Sequence, residues 1–211
     1  MLYRYLLLVR FGLINLVAVS LLCAAFLQGW LDGIVRAELV ELSGIIAAVF
    51  LYGFVFCAAR VWTTSLELND VKAGRPRPQS HAGRYLAALE DRADRELSLR
   101  VFRLKLTNRI AIVRHVANSL VFLGLIGTVI GFIIALSGVD PAGASDAERV
   151  GGMVSTLISG MSVALNTTLV GAVLYVWLIV NHRLLATGTV HLLTATLERG
   201  QAPAAETVGA E

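Results

Sequence analysis

Charged side chains are scarce in this sequence. They make up 16% of its 211 residues, whereas 56% of the residues are hydrophobic and the mean hydropathy is +0.72. Soluble domains carry about 25% charged residues, so this composition excludes an ordinary soluble domain and indicates a membrane protein. The net charge is only +3, and no basic tract with interleaved aromatic residues occurs. We therefore exclude nucleic acid as a partner and expect the lipid bilayer to surround the chain.

Motifs typical of enzymes and metal sites are also missing. The chain has only two cysteines, Cys23 and Cys57, and its four histidines are not at metal-ligand spacing. It contains no CxxC, no HExxH and no glycine-rich loop between a strand and a helix. These absences predict a protein that is not an enzyme and that has no metal site and no cofactor. Both cysteines lie in apolar runs, and we interpret them as small buried residues without a disulfide.

Four apolar runs are each long enough to cross a bilayer, which takes about 20 residues of helix. They predict an all-α membrane protein with four transmembrane helices, the first two as a hairpin in residues 1–62 and the last two in residues 110–182. A signal peptide shares the basic start and apolar core of the first run, but the length of 11–27 favours a retained helix. Residues 63–109, between the two pairs, hold ten Lys or Arg. The positive-inside rule places this segment and both termini in the cytoplasm.

The segment 63–109 is predicted to form a cytoplasmic helical extension. An apolar stripe at helical spacing runs along it, with charged residues of both signs opposite. The stripe consists of Leu86, Leu89, Ala93, Leu97, Val101 and Leu104. Such a helix either packs in a bundle with neighbouring subunits or lies on the membrane surface, and the mixed charges favour the bundle. Residues 183–211 are predicted to form a cytoplasmic tail that is partly disordered, because its end is rich in Gly, Ala, Pro and Glu.

Small and hydroxylated residues recur along the last two predicted helices. The third helix carries Gly124, Gly127, Thr128 and Gly131, and the fourth carries Ser155, Ser159, Ser162, Asn166, Thr168 and Gly171. Spacings of three and four place them on one helical face or on an adjacent stripe. Polar side chains that face lipid find no partner, so these faces are expected to point at other helices or at water. We predict helix packing for Gly124, Gly127, Gly131, Ser155, Ser159, Ser162 and Gly171.

Acidic residues are absent from both of these helices, between Arg114 and Leu136 and between Val150 and Asn181. A protein that moves protons across a membrane usually needs a titratable group near mid-depth, and hydroxyls do not titrate near neutral pH. If this chain conducts ions, the carboxylate must therefore come from another chain.

Two stretches of the same helices resemble a known family. Residues 123–131 read LGLIGTVIG, residues 164–171 read ALNTTLVG, and Asn181 follows on the same helix. They resemble the channel-helix signatures of the MotA/TolQ/ExbB proton-channel proteins. Val163 stands where TolQ and ExbB proteins tend to carry a Glu, and the Pro that they have further along this helix is missing.

The resemblance implies a multi-pass subunit of the bacterial inner membrane that forms a ring of five chains around two copies of a single-span partner. That partner, of MotB, TolR or ExbD type, would carry the membrane Asp, and ion flow past it would drive mechanical work on the cell envelope. Thr128 and Thr168 would be the pore-facing hydroxyls, with Asn166 and Thr167 beside them on the ion pathway. The resemblance leaves open whether the ion is a proton or sodium, and which envelope process is driven.

An alternative function is that of a non-conducting tetraspan scaffold that packs partner helices. Stripes of Gly, Ser and Thr are also the ordinary means by which membrane helices pack, so they fit this function as well. A small-solute carrier would show broken helices and paired half-repeats, which the sequence lacks.

Overall fold

The computed structural model of the chain describes residues 6–28, 40–74, 76–90, 95–139 and 147–208. These residues form five α-helices: α1 (Leu6–Leu27), α2 (Val40–Lys72), α3 (His81–Glu90), α4 (Arg95–Ser137) and α5 (Ala147–Val208). The described ranges contain no strand.

Four of the helices, α1, α2, α4 and α5, are long and apolar enough to cross a membrane. Their outward faces carry large apolar side chains; Leu125, Ile133 and Leu165, for example, are 59%, 61% and 69% exposed. A helix that is apolar on its exposed face as well as on its buried face is typical of a membrane span. The predicted fold class, an all-α membrane protein with four long apolar helices, is confirmed. Residues 1–5 and 209–211 lie outside the described residues, so the cytoplasmic placement of the termini stays a prediction.

Each of the helices α4 and α5 buries one narrow stripe. The buried residues of α4 are Phe102, Leu106, Val113, Ala117, Leu120, Gly124, Gly127, Gly131 and Ala135. Those of α5 are Gly160, Val163, Ala164, Thr167, Gly171, Leu178, Asn181, Leu185, Gly188, Thr189, Leu192 and Thr196. Most neighbours in each set are three, four or seven residues apart, so each stripe follows one helix face. The other faces are left to lipid, to water or to other chains.

By its internal contacts the chain divides into two units. The span unit comprises Leu16–Phe54 and His115–Ile179, and the polar unit comprises Met1–Asn15, Val55–Arg114 and Val180–Glu211. Parts of α1, α2, α4 and α5 belong to each unit, and α3 belongs to the polar unit.

In the span unit, α2 packs against α4 and α5 through a glycine and an aromatic pair. A Cβ atom on Gly53 would lie 2.7 Å from the side chain of Val116 and 2.9 Å from that of Leu178, so a larger residue here requires these side chains to shift. The ring of Phe50 packs beside Trp177, with the centroids 5.2 Å apart. Such an aromatic pair stabilises the contact beyond the area that it buries.

In the polar unit, four helices share a small apolar core. It consists of Val71, Ala82, Tyr85, Phe102, Leu106 and Leu192, which come from α2, α3, α4 and α5. The rings of Tyr85 and Phe102 stack, with their centroids 5.1 Å apart. The burial of these side chains stabilises the parts of the helices that lie beyond their apolar runs.

The turn between α2 and α3 is closed by hydrogen bonds at both of its ends. Gly74 has a φ of 81°, in the left-handed region that favours glycine, and ends α2. Arg199 of α5 donates to the carbonyl oxygens of Val71 and Gly74, each at 3.1 Å, which places a positive charge at the C-terminus of α2. Ser80 caps α3, because its hydroxyl accepts a hydrogen bond from the backbone N–H of Gly83 at 2.9 Å.

The helix α1 is held by few contacts, since none of its residues is buried. Leu7 lies so close to Gly188 that a Cβ atom on this glycine would be 2.7 Å from its side chain. Asn15 and Asn181 exchange two hydrogen bonds: Nδ2 of Asn15 donates to Oδ1 of Asn181 at 2.8 Å, and the reverse bond measures 3.2 Å. Side-chain amides join membrane helices in this way because lipid offers them no other partner.

The structure corrects the prediction for the cysteines. Both are free, and Cys57 is buried as predicted, but Cys23 is exposed. Cys23 lies on α1, which buries no side chain against the rest of the chain.

Two helices extend further than the sequence predicts. The helix α2 runs to Lys72 instead of ending near residue 62, and α5 runs past residue 182 to Val208. The helix α5 therefore includes most of the predicted tail 183–211. Leu192 shows the physical reason, because it is buried in the core of the polar unit and anchors the extension.

The apolar stripe predicted from Leu86 to Leu104 is expected to pack against neighbouring subunits or to lie on the membrane surface, and that packing stays a prediction. Among its described members, only the first, Leu86, packs against the core of the polar unit. Leu97 and Leu104 are 59% and 63% exposed, whereas Phe102 and Leu106 are buried. The side chains of Leu89 and Ala93 lie outside the described residues.

Candidate ion-pathway site

In the span unit, α4 and α5 run antiparallel with their backbones in contact. A Cβ atom on Gly131 would lie 2.6 Å from the carbonyl oxygen of Gly160, and one on Gly171 would lie 2.8 Å from that of Leu120. Real Cβ atoms essentially never come this close to another heavy atom, so neither position accepts a larger residue without a shift of the helices. Small residues provide this close approach where membrane helices pack.

The glycines predicted for helix packing all lie at this contact. They are Gly124, Gly127, Gly131 and Gly171. The sequence prediction passed over Gly160 and Ala164, which face them from α5. The spacing of four between these two residues is the small-residue signal that identifies such a contact.

Two threonine hydroxyls meet where α4 and α5 come together. The Oγ1 atoms of Thr128 and Thr168 are in hydrogen-bond contact with each other. Each also lies near the carbonyl oxygen of Gly124, at 3.2 Å from Thr128 and 3.3 Å from Thr168. Gly124 permits this, because a Cβ atom on it would lie only 3.4 Å from the Cα of Thr168. Three oxygen atoms from two helices therefore converge at one point.

The hydroxyl pair keeps hydrogen-bonding capacity for a further partner. Thr128 is half-buried and Thr168 is exposed. The three oxygen atoms form three close pairs, but the two hydroxyls have only two hydrogen atoms to donate. One pair is therefore without a hydrogen bond at any moment, and the hydroxyl oxygens keep lone pairs that can accept one. The pair can order water, accept from a protonated carboxyl group or coordinate a cation. It does not itself titrate near neutral pH.

Thr167, which the resemblance places on the ion pathway, packs inside the chain instead. It is 2% exposed, and its hydroxyl donates within its own helix to the carbonyl oxygens of Val163 and Ala164, at 3.0 Å and 3.2 Å. Its side chain fills the space beside Gly127, where a Cβ atom would lie 2.5 Å from the Cβ of Thr167. A neighbouring chain can only increase this burial, so the structure assigns Thr167 to helix packing.

The remaining polar residues predicted on α5 lie on its outer side. Ser155, Ser159 and Ser162 are exposed, and Asn166 is half-buried with its Nδ2 donating to Oγ of Ser162 at 3.4 Å. The predicted packing of the three serines would therefore be against other chains, and it stays a prediction. Asn166 lies two residues before Thr168, and its place on the ion pathway also stays a prediction.

The apolar stretches of α4 and α5 that carry the hydroxyl pair contain no carboxylate. The helices α4 and α5 have no Asp or Glu between Arg114 and Leu136 or between Val150 and Asn181. Within the described ranges, no group of three or more His, Cys, Asp or Glu side chains is arranged to hold a metal ion. The pair offers oxygen ligands and hydrogen bonds, but no group that carries a proton on its own.

Comparison with known proteins places this arrangement in a family. No curated protein and no solved structure matches the chain. The family model of the MotA/TolQ/ExbB proton channel family matches residues 84–198, more than half of the chain. This range contains both threonines, the glycines of the α4–α5 contact and two of the four long apolar helices. The chain therefore belongs to the MotA/TolQ/ExbB proton channel family.

Proposed function

We propose that this chain is the ion-channel subunit of a motor in the bacterial inner membrane that couples proton flow to mechanical work on the cell envelope. Family membership supports the channel. The observation that carries the proposal is the hydroxyl pair of Thr128 and Thr168, which meets on a membrane helix contact and stays accessible to a further partner.

The proton carrier of the pathway is an Asp on a single-span partner of MotB, TolR or ExbD type. This follows from the chemistry of the apolar stretches of α4 and α5, residues 114–136 and 150–181, which supply hydroxyls but no carboxylate. The Asp takes up a proton from one side of the membrane and releases it to the other. When the Asp is charged, the hydroxyl of Thr128 or Thr168 gives up its bond to the carbonyl oxygen of Gly124 and donates instead to the Asp, or to the water with which the Asp exchanges protons. A hydrogen bond to a charged group is worth about 1.5–3 kcal/mol.

A ring of five chains around two partner copies fits the exposed polar side of α5. Ser155, Ser159 and Ser162 lie there without cover from their own chain. In a bilayer such side chains need another helix or water beside them. Each proton that crosses supplies about 2.3 kcal/mol per 100 mV of membrane potential, so a mechanical step uses several protons.

Co-expression with a single-span membrane protein of MotB, TolR or ExbD type tests the assembly. Native mass spectrometry of the detergent-solubilised complex should give five copies of this chain with two of the partner. A monomer or dimer of this chain without any single-span protein would instead favour the non-conducting scaffold.

Proton flux tests the site itself. In vesicles that contain the complex, Thr168→Val and Thr128→Val should each reduce proton flux about tenfold or more, because each removes a hydrogen bond to a charged group. Thr168→Ser and Thr128→Ser keep the hydroxyl and should restore flux. The matched control is Ser119→Ala, which removes from α4 a hydroxyl that donates to the carbonyl of His115 at 3.0 Å. Unchanged flux in both valine variants, with the complex assembled, would contradict the proposed pathway.

A further inference from the structure

Four cations of the polar unit surround one histidine at the start of α3. Burial, and then repulsion by Arg109, Arg84, Lys105 and Arg60, lowers the pKa of His81 to about 4. Nη2 of Arg84 lies 3.5 Å from Nδ1 of His81. The cations come from α2, α3 and α4, so the fold rather than a run in the sequence brings them together.

Few carboxylates balance these cations among the described residues. The carboxylate of Glu67 attracts the guanidinium of Arg109. The guanidinium groups of Arg60 and Arg84 repel it. The neighbouring Asp70 pairs with Arg77, whose Nε lies 2.9 Å from its carboxylate. The cluster therefore keeps an excess of positive charge, which an anionic ligand would stabilise.

A groove lies beside this cluster, between α3 and α4. Its volume is about 240 Å³, and His81, Arg84 and Lys105 line it. The stacked rings of Tyr85 and Phe102 form an apolar part of its wall. Arg84 and Lys105 are exposed, so both are free to move towards a ligand. The groove thus combines an opening to solvent with two accessible positive charges.

The positions of the cations along their helices match the depth of lipid headgroups. The apolar run of α4 begins at Ile110, and Lys105 precedes it by five residues, about 7.5 Å of helix. A headgroup layer is roughly 5–8 Å thick on each side of the hydrocarbon. On α2, Arg60 follows the apolar run, and its guanidinium lies over the ring of Phe56, 4.8 Å from the centroid.

We propose that this cationic groove binds the headgroup of an anionic phospholipid from the leaflet that residues 63–109 face. Arg84 and Lys105 hold the phosphate, and Arg60 and Arg109 add a positive field from the membrane side. A net negative headgroup is required, because a zwitterionic one brings its own cation into a site that already has an excess. The inference does not depend on the motor or on the proton pathway.

Lipid titration of the full-length chain in detergent, followed by native mass spectrometry, tests the site. The probes are phosphatidylglycerol, phosphatidylcholine and inorganic phosphate. We expect phosphatidylglycerol to bind more tightly than phosphatidylcholine, and Arg84→Gln/Lys105→Gln to weaken it about tenfold or more. Both residues are exposed, so the variant should fold, which its melting temperature verifies.

The matched control is Arg100→Gln/Arg103→Gln, which removes two exposed cations from α4 outside the cluster. Arg100 is engaged with Glu96 at 3.3 Å. This control should bind phosphatidylglycerol as the parent chain does. Equal binding of the two lipids, an equal loss in both variants, or displacement of the lipid by inorganic phosphate would each overturn the proposal, the last by assigning the groove to free phosphate.

Discussion

The side-chain amides of Asn15 and Asn181 are a polar contact between α1 and α5 within the polar unit. Asn181 is fully buried, and Asn15 also donates to the carbonyl oxygen of Phe11 at 2.8 Å. Because α1 buries no side chain, its apolar surface does little to select one register against α5. A two-bond amide pair does so, since a shift of one residue turns Asn15 away from its partner.

Asn181→Leu should lower the free energy of unfolding by about 1–3 kcal/mol, because it removes the amide with which Asn15 pairs. The double variant Asn15→Leu/Asn181→Leu should lose less than the sum of the two single variants, with a coupling of about 0.6–1.7 kcal/mol. Thermal unfolding of the detergent-solubilised chain, followed by circular dichroism, measures all three. Strictly additive losses would contradict the pairing.

His81 makes the stability of the polar unit depend on pH. Its pKa falls from 6.5 to about 4 on folding, first through burial and then through nearby cations. The charged groups that face it are Arg84 on its own helix, Arg60 and Glu67 on α2, and Lys105 and Arg109 on α4. The unfolded chain binds the proton more readily, so the contribution of His81 is fully present above pH 6.5 and is lost as the pH falls towards 4.

His81→Gln removes this titration. When the pH is lowered from about 7 to 4.5, the melting temperature of the variant should therefore fall by less than that of the parent chain. Glu67 and the other acids are common to both chains, so the difference between the two curves reports on His81. Parallel curves over this range would show that His81 titrates alike in the folded and unfolded states.

At the scale of elements, the contact between α4 and α5 depends on glycines that leave no space for a methyl group. Gly131 faces Gly160 and Ala164 in this way. Gly152, on the same helix as Gly160, has nothing within 4 Å of the position that a Cβ atom would take. The two glycines therefore separate the packing effect of a methyl group from its effect on helix propensity.

Gly131→Ala should destabilise the fold by about 1–3 kcal/mol, because the added methyl group forces the two backbones apart. Gly152→Ala should be neutral, or stabilising by up to about 1 kcal/mol, since alanine favours the helix and meets no neighbour. Thermal unfolding of both variants in the same detergent makes the comparison. A loss of the same size in Gly152→Ala would show that the contact does not cause the effect.

At the scale of the whole molecule, the apolar stretches of α4 and α5, residues 114–136 and 150–181, contain hydroxyls but no carboxylate to carry a proton. We expect vesicles that contain this chain alone to conduct protons no faster than empty vesicles. Vesicles that also contain the proposed single-span partner should conduct in response to a pH gradient, because on our proposal that partner supplies the Asp. A pH-sensitive dye inside the vesicles measures both. Proton flux through the chain alone would disprove the need for a second carboxylate-bearing chain.

Much of the fold is predictable from the sequence because the signals are local. The length of each apolar run identifies a span, and the spacing of Gly124, Gly127 and Gly131 identifies a packing face. The buried side of the polar stretch of α4 is different. Leu97 and Leu104 form a convincing apolar stripe, yet Phe102 and Leu106 are the buried residues. Both sides have apolar residues at helical spacing, so the sequence does not show which side packs within the chain and which is left to other chains or to the membrane surface.

The candidate site likewise has features that the sequence predicts and features that only the structure shows. The sequence by itself determined a four-span membrane protein whose last two apolar runs carry hydroxyls but no acid, because hydropathy and residue type do not depend on how helices rotate. Only the tertiary structure decided that Thr168 meets Thr128 while Thr167 packs beside Gly127. Neighbouring residues differ by about 100° around a helix, so the rotation that seats α5 against α4 separates two adjacent threonines. Contacts between distant parts of the chain set that rotation.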